Sequence, residues 1–473
     1  VLTLADIFEA ITGSRPAHTD QVVTEAVADS RQVIPGSLFV ALPGERVDGH
    51  NYVGDAFHRG AGLALVQRDV SGLFPVIDLR SGDLPDPLLI PDVPFCLFVP
   101  DSLQALQKIA QFWRSRLDLR VVGITGSVGK STTKELVAEV LSQRYRTLRS
   151  PGNLNNEIGL PLTLLRLGSG YERAVLEMGF YIPGEIAFLC EIARPHVGVI
   201  TNVGTVHAER AGSQEEIARG KAELVQALPP APDGIAILNY DDPWVRQMAS
   251  KTRARIFFYG LDPQADLWAD GVESLGLEGI RFRLHYRNEV LYLRVPLIGR
   301  HSVHTALRAA AVGLVEGLTW QEIASGLRLS SAQLRLVAVH TENGALILDD
   351  TYNASPESTL AALNLLEELE GRKVAVLGDM LELGPYEQKG HEMVGVRAAE
   401  VVHELVCVGE RAKTIAVAAR QSGLHPSAIT WFNAAEEATQ HLRNRLRKGD
   451  IVLVKGSRGM HMETIVAALE GVS

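Results

Sequence analysis

Apolar and polar positions along the chain change texture three times. Up to about residue 100, short continuous apolar runs at 37–42 and 62–67 are broken by glycine and proline turns, which predicts short buried strands. The stretch 73–100 is rich in proline and reads as the edge of that first block, and a helix from 102 to about 116 leads out of it. In the second block, apolar strand-like runs at 120–124, 174–177, 197–202 and 235–239 alternate with helical periods at 130–145 and 214–228. That alternation predicts a largely parallel sheet covered on both faces. From 267 to 297 the pattern turns to strict alternation without helices, which predicts a β-meander added to the sheet, and a helix over 301–315 closes the block.

The third block alternates again. Strands are expected at 345–348, 374–377, 405–408 and 451–454, with amphipathic helices near 357–370, 387–402 and 434–446. The pattern is Rossmann-like, yet no GxGxxG fingerprint follows any of these strands, so dinucleotide binding has no support there. The expected fold is therefore α/β in three domains. These are an N-terminal α/β domain at 1–100, a central phosphate-loop domain with the added meander at 101–331, and a Rossmann-like domain at 332–473.

Charge and composition narrow the partners. The net charge is −10 with no long basic run, so an electrostatic grip on nucleic acid is not expected. No apolar stretch reaches the roughly 18 to 20 residues needed to span a bilayer, so no membrane insertion is expected. The opening residues Val1-Leu-Thr-Leu-Ala lack the basic-then-apolar pattern of a secretion leader, and a cytoplasmic place is expected. Cys96, Cys190 and Cys407 stand singly in apolar runs, which predicts core packing rather than disulfides or a zinc site.

The strongest local signal is Gly123-Ile-Thr-Gly-Ser-Val-Gly-Lys-Ser-Thr-Thr-Lys-Glu, a strand running into a glycine turn and then a helix. Such a turn aims several backbone N–H groups and the positive end of a helix dipole at one point, which suits a phosphate. The loop residues Thr125, Gly126, Ser127, Gly129, Lys130, Ser131 and Thr132 are the expected ATP contacts. Lys130 would reach the β- and γ-phosphates and the Ser131 hydroxyl a Mg²⁺ ion. The spacing departs from the standard phosphate loop, since the position five before Gly129 is Ile124. No Asn-Lys-x-Asp guanine motif is present, which argues against a GTPase, and the strand Ala174-Val-Leu-Glu-Met-Gly ends in Glu177 rather than the Asp of a motor ATPase.

Beyond the loop come Thr201-Asn-Val-Gly-Thr-Val-His207 and Glu215-Glu-Ile-Ala-Arg-Gly-Lys221-Ala-Glu-Leu. Further runs are Asp29-Ser-Arg-Gln-Val-Ile-Pro-Gly, Asp48-Gly-His, Asn153-Leu-Asn-Asn-Glu-Ile-Gly-Leu-Pro-Leu, Asp349-Asp-Thr-Tyr-Asn-Ala-Ser-Pro, Val376-Leu-Gly-Asp-Met-Leu-Glu-Leu-Gly and Lys455-Gly-Ser-Arg-Gly-Met. In this order, over nearly the whole chain, they resemble the Mur ligase family, and among its members the one that joins D-alanyl-D-alanine to a UDP-N-acetylmuramoyl-tripeptide. The resemblance implies a UDP-substrate domain at the N-terminus and dipeptide binding at the C-terminus. It implies ATP and two Mg²⁺ ions, with Lys130, Glu177, His207 and Lys221 as the catalytic set. Ser131, Glu177, His207 and a carbamylated Lys221 are the implied metal donors. Arg335, Asp350 and Asn353 are implied on the nucleotide. Ser30 and Arg31 are implied at the uridine diphosphate, and Asn153, Asn156, Tyr352, Lys455 and Arg458 on the other substrate parts. A monomer is expected.

One segment departs from the family. Where Gly-x-His-Asn-x-x-Asn-Ala-Leu is common, this chain reads Gly299-Arg-His-Ser-Val-His-Thr-Ala-Leu, with Ser302 and Thr305 at the two Asn positions. A hydroxyl cannot make the paired amide contact to a base edge. Rival readings are a folylpolyglutamate or cyanophycin synthetase, a sister ligase adding the third residue, and a regulatory module that binds nucleotide without catalysis. The first should lack the Asp-Ser-Arg and Leu-Gly-Asp-Met-Leu-Glu-Leu-Gly runs, and the second should lack Lys-Gly-Ser-Arg.

Overall fold

A strand buried on both faces needs no polar alternation, and the first unit is built from such strands. The computed structural model describes the chain except residues 18, 45–46, 85, 87–89, 206–207, 329–336 and 471–473. It gathers into two compact units, one of Val1–Gly123, Tyr145–Gly179 and Glu185–Val197, the other of Ile124–Arg144, Phe180–Gly184 and Gly198–Ser473.

In the first unit, β1 (Ala26–Val27), β2 (Leu38–Val40), β3 (Leu63–Val66), β4 (Val76–Asp78) and β5 (Phe95–Phe98) form a sheet in the order β1-β2-β3-β5-β4. All four pairings are parallel. Every residue of β2, β3 and β5 is buried, the signature of a parallel sheet covered on both sides. The helix Ser102–Ser115 begins where the Asp101 carboxylate accepts the Gln104 N–H at 2.8 Å, a cap generally worth about 1 kcal/mol. The same unit carries the first four residues of β6 (Arg120–Thr125), with β7 (Thr147–Arg149) and β8 (Arg173–Glu177), in the order β6-β8-β7.

In the second unit, β9 (Val197–Ile200), β10 (Ile235–Asn239), β11 (Arg255–Gly260), β12 (Leu267–Ser274), β13 (Ile280–Tyr286) and β14 (Glu289–Val295) follow one another across the sheet. β10, β11 and β12 pair in parallel, and β12, β13 and β14 then form the antiparallel meander expected at 267–297. β13 alternates buried with exposed residues, as a sheet covered on one face must. The last sheet contains β15 (Val337–His340), β16 (Leu346–Asp350), β17 (Arg372–Gly378), β18 (Glu404–Val408), β19 (Ile429–Phe432) and β20 (Asp450–Lys455), in the order β15-β16-β20-β17-β18-β19. Only the β15 pairing is antiparallel. Separate apolar cores cover its two faces. The fold is thus α/β, with helices over largely parallel sheets.

Differences from expectation are local. The helix expected over 301–315 opens with a 3₁₀ turn, Arg300–Ser302, and becomes α-helical only at Val303. The strand expected at 345–348 runs on to Asp350, because it continues pairing with β20 as far as Lys455. The helix Glu185–Ala193 and strand Arg255–Gly260 were not anticipated. The three cysteines are buried, in keeping with core packing. No described helix is long and apolar enough to cross a membrane.

Candidate active site

The phosphate loop is held from behind by the segment that follows β9. β6 brings Thr125 into the loop fully buried, and Gly126 then adopts φ +147°. A Cβ at Gly126 would overlap the Thr201 hydroxyl oxygen, so only glycine lets the two segments touch. That hydroxyl donates to the Val128 carbonyl at 2.7 Å. The Asn202 side-chain oxygen accepts the Val128 N–H at 2.9 Å, and the Asn202 carbonyl accepts the Ser127 N–H at 3.0 Å. The Gly204 N–H donates to the Ser127 hydroxyl at 2.8 Å. Thr201 and Asn202 therefore shape the loop, although sequence reasoning took only His207 from their run. His207 lies outside the described residues, as does Arg335.

The helix Lys130–Leu141 starts at Gly129 (φ +82°) with no side-chain cap, in contrast to the capped helices at Leu4, Ser102, Gln214 and Pro356. The Lys130 ammonium folds over the loop, donating to the Gly126 carbonyl at 2.9 Å and the Ser127 carbonyl at 3.4 Å. Ser131 and Thr132 are half-buried in the first turn.

Lys221 stands on the helix Gln214–Gln226, whose N-cap Ser213 accepts the Glu216 N–H at 3.2 Å. The side chain is only 1% exposed. Its nitrogen lies 4.8 Å from the Phe180 ring centroid, and the ring can lie so close because a Cβ at Gly220 would overlap it. Burial, and then the charge of Lys130, holds the Lys221 amine well below the ordinary lysine range. A lysine depressed in this way holds a larger share of the uncharged, nucleophilic amine than an exposed one does.

Glu177 ends β8 and is 2% exposed. Its carboxylate accepts the Asn155 side-chain N–H at 2.9 Å, and the Asn155 carbonyl accepts the Gly179 N–H at 2.7 Å. Asn155 is thus the residue of the Asn153-Leu-Asn-Asn run that holds Glu177. Asn153 is exposed. Asn156 instead serves the next helix, accepting the Gly159 N–H at 2.9 Å and the Ile158 N–H at 3.3 Å. Among the described residues no group of three or more His, Cys, Asp or Glu side chains gathers as a metal site.

A second constellation lies where three parallel neighbours, β16, β20 and β17, end together, the edge at which open α/β sheets receive ligands. The Lys455 side chain is 2% exposed, and its ammonium donates to Asp350 at 2.7 Å and to the Asn353 carbonyl at 2.8 Å. Lys455, expected on the substrate, is thus tied internally to Asp350 and Asn353. Ser457 continues the tie, with its hydroxyl accepting the Leu381 N–H at 2.8 Å and its own N–H donating to the Asp379 carbonyl at 3.0 Å. The Asp349, Leu377 and Lys455 runs thus form one assembly. Exposed Arg458 lies 5.5 Å from the Tyr352 ring centroid. From the helix Pro356–Glu368, the Glu357 carboxylate reaches the segment behind the phosphate loop, accepting the Thr205 N–H and hydroxyl, each at 3.0 Å.

In the first unit, Ser30 is buried and Arg31 is exposed, its guanidinium paired with Asp29 at 2.7 Å. Beside them in sequence, Asp48 accepts from the His50 backbone N–H at 2.9 Å and pairs with the His50 ring and Arg68. These bonds, the backbone one foremost, bring its carboxyl down to about 2.

Comparison with known proteins identifies the family. Sequence models of the Mur ligase middle domain, of the Mur ligase glutamate ligase domain and of the Mur ligase family catalytic domain match residues 124–313, 334–458 and 22–79. This chain belongs to the Mur ligase family. Among Mur ligases, it is 35% identical to the UDP-N-acetylmuramoyl-tripeptide–D-alanyl-D-alanine ligase of Bacillus subtilis (strain 168), over 99% of this chain and 98% of the relative. It is 34% identical to the protein of that name from Escherichia coli (strain K12), with the same coverage of each chain. The crystal structure of MurF from Acinetobacter baumannii superposes with a TM-score of 0.82 at 31% identity, covering 98% of both chains. That of MurF ligase from Thermotoga maritima in complex with ADP gives 0.77 at 28% identity, covering 95% of this chain and 98% of that one.

Proposed function

We propose that this Mur ligase uses ATP to form an amide bond between a UDP-N-acetylmuramoyl-tripeptide and D-alanyl-D-alanine, a cytoplasmic step of peptidoglycan synthesis. The observation that carries the reading is the end-to-end match, over 98% of their length, to ligases of that name from two distant bacteria. Free carboxylates acylate amines poorly, because oxide is a poor leaving group. ATP supplies the γ-phosphoryl that converts the tripeptide's terminal carboxylate to an acyl phosphate, from which the dipeptide amine displaces phosphate.

The phosphate loop fits a nucleotide. Two glycines at positive φ and a helix start without a side-chain cap leave backbone N–H groups for phosphate oxygens. Lys130, resting on loop carbonyls at 2.9 and 3.4 Å, can exchange them for the β- and γ-phosphates. Such preorganised contacts are typically worth about 3 kcal/mol each in the transition state. For Mg²⁺, which supplies neutralisation of the crowded oxygens, we assign Ser131, Glu177, His207 and a Lys221 carbamate as donors. The buried Lys221 amine, depressed below the ordinary lysine range, suits that carbamate: the lone pair of its neutral form attacks CO₂, the nitrogen releases one proton, and an oxygen donor for a hard cation results. Asn155 would hold the Glu177 carboxylate in one orientation, as a partner behind a metal ligand does.

We assign Asp350, Asn353 and Arg335 to the nucleotide, with Lys455 holding the first two in place. Exposed Arg458 and Tyr352 are then the candidates for the dipeptide and its carboxylate, by charge-assisted bonding. Ser30 and Arg31 are assigned to the uridine diphosphate. The test is phosphate release with ATP, Mg²⁺ and UDP-muramoyl-tripeptide, with and without D-alanyl-D-alanine, and mass analysis of the product. Release that needs both acceptor and tripeptide, with a product heavier by one dipeptide less water, is expected. Turnover indifferent to both would sink the substrate assignment.

A further inference from the structure

The helix Val303–Val315 carries a cation that no described carboxylate neutralises. Arg308 is 5% exposed. Its Nη2 donates to the Thr305 hydroxyl at 2.7 Å and its Nη1 to the Tyr259 hydroxyl at 3.4 Å, while its Nε is buried with no hydrogen-bond partner. Both partners are neutral, and the Tyr259 hydroxyl itself lies 3.1 and 3.2 Å from the Ile200 and Thr201 carbonyls. The other deeply buried arginine among the described residues shows what a satisfied one looks like. Arg114, 4% exposed, donates to the carbonyls of Ala193, Leu117, Leu119 and Arg194. Buried charges in folded proteins are paired or fully hydrogen-bonded, and an exception calls for an absent partner.

The position of Arg308 says what that partner is. Its Nη2 lies 3.2 Å from where a Cβ on Gly129 would stand, so the guanidinium rests against the residue that opens the helix Lys130–Leu141. A buried, under-bonded guanidinium beside a helix start without a side-chain cap is a site for an anion. We propose that Arg308 binds the phosphate chain of the nucleotide from the Gly129 side, an inference that rests on the ATP reading above. Thr305, the hydroxyl residue standing where the family commonly has Asn, is the positioning residue that orients the guanidinium. The departure at Thr305 thus exchanges an amide for the support of a charge.

The experiment is calorimetric titration of the full chain with ADP and ATP, for the parent, Arg308→Met, Arg308→Lys and Lys130→Ala, with thermal melts in the absence of nucleotide. Arg308→Met is expected to weaken ADP and ATP about 10- to 100-fold, the range of a charge-assisted hydrogen bond, and to melt at or above the parent, since an unpaired buried charge has been removed. If Arg308→Met melts below the parent, Arg308→Lys decides: ADP affinity closer to the parent than to the Met variant supports the proposal, and affinity as poor as the Met variant's overturns it. ADP affinity unchanged in Arg308→Met also overturns it, leaving Arg308 a packing residue. A parent that binds nucleotide and loses it in Lys130→Ala keeps the ATP reading whatever Arg308 does. A parent that binds none overturns both.

Discussion

Lys221 offers a test in which stability and chemistry pull in opposite directions. The side chain is 1% exposed, and burial followed by the Lys130 charge depresses its amine well below the ordinary value of 10.5. Above that value both folded and unfolded chains carry a neutral amine, and nothing is lost on folding. As pH falls below it, the unfolded chain takes up a proton that the folded chain does not. The folded state therefore loses about 1.4 kcal/mol per pH unit until its own, lower pKa is reached, where the loss levels off. Lys221→Met keeps the length and apolar stem but removes the titration. In CO₂-free buffer, urea denaturation at half-unit steps from pH 10.5 down to 8 should show the Met variant gaining on the parent by up to about 1.4 kcal/mol per unit until the folded chain's own pKa is reached. Added bicarbonate at the lower end of that range should then stabilise the parent more than the variant, because there the unfolded chain's amine is mostly protonated while the folded chain's depressed amine is open to carbamylation. ¹³C-bicarbonate should give one carbamate signal that the parent shows and the Met variant lacks. A variant destabilised by a constant amount at every pH would refute the reasoning, since Lys221 would then be a charged and paired residue.

Two further outcomes follow from the geometry. Gly126→Ala places a methyl on the Thr201 hydroxyl at φ +147°, so the loop must move; a loss of about 2 to 3 kcal/mol in urea melts and of nucleotide binding in titrations is expected, and native affinity would contradict the packing described. Lys455→Met leaves Asp350 without its 2.7 Å partner and should cost about 3 to 5 kcal/mol, whereas Lys455→Met combined with Asp350→Asn should recover part of the loss; additive losses in that double-mutant cycle would show the pair is not coupled.

What the sequence revealed of this fold and site follows a physical division. Backbone demands are local, and they were legible. Glycines at 126 and 129 announce positive φ before a helix, the apolar runs at 38–40 and 63–66 announce strands buried on both faces, and the alternation at 280–286 announces a strand with one wet face. What failed to show were pairings between side chains distant in sequence. Asn155 holds Glu177 from 22 residues away, and Asn202 holds Val128 from 74 residues away. Each lies inside a run that could be recognised, yet which of its polar residues turns inward depends on packing that no local pattern encodes. Asn156 illustrates the converse: next door to Asn155, its side-chain oxygen accepts the N–H of Gly159, where the next helix begins. Lys455 likewise reads as a substrate contact after a strand until β16 and β20 are placed side by side, when Asp350 becomes its neighbour. The Thr305 position carries the argument furthest. By sequence alone it was a lost amide, a subtraction. Only the turn of the helix, which sets Arg308 three residues on against Thr305, reveals that the hydroxyl has a cation to hold. A departure from a family pattern is thus better read by what its new side chain touches than by what the old one did.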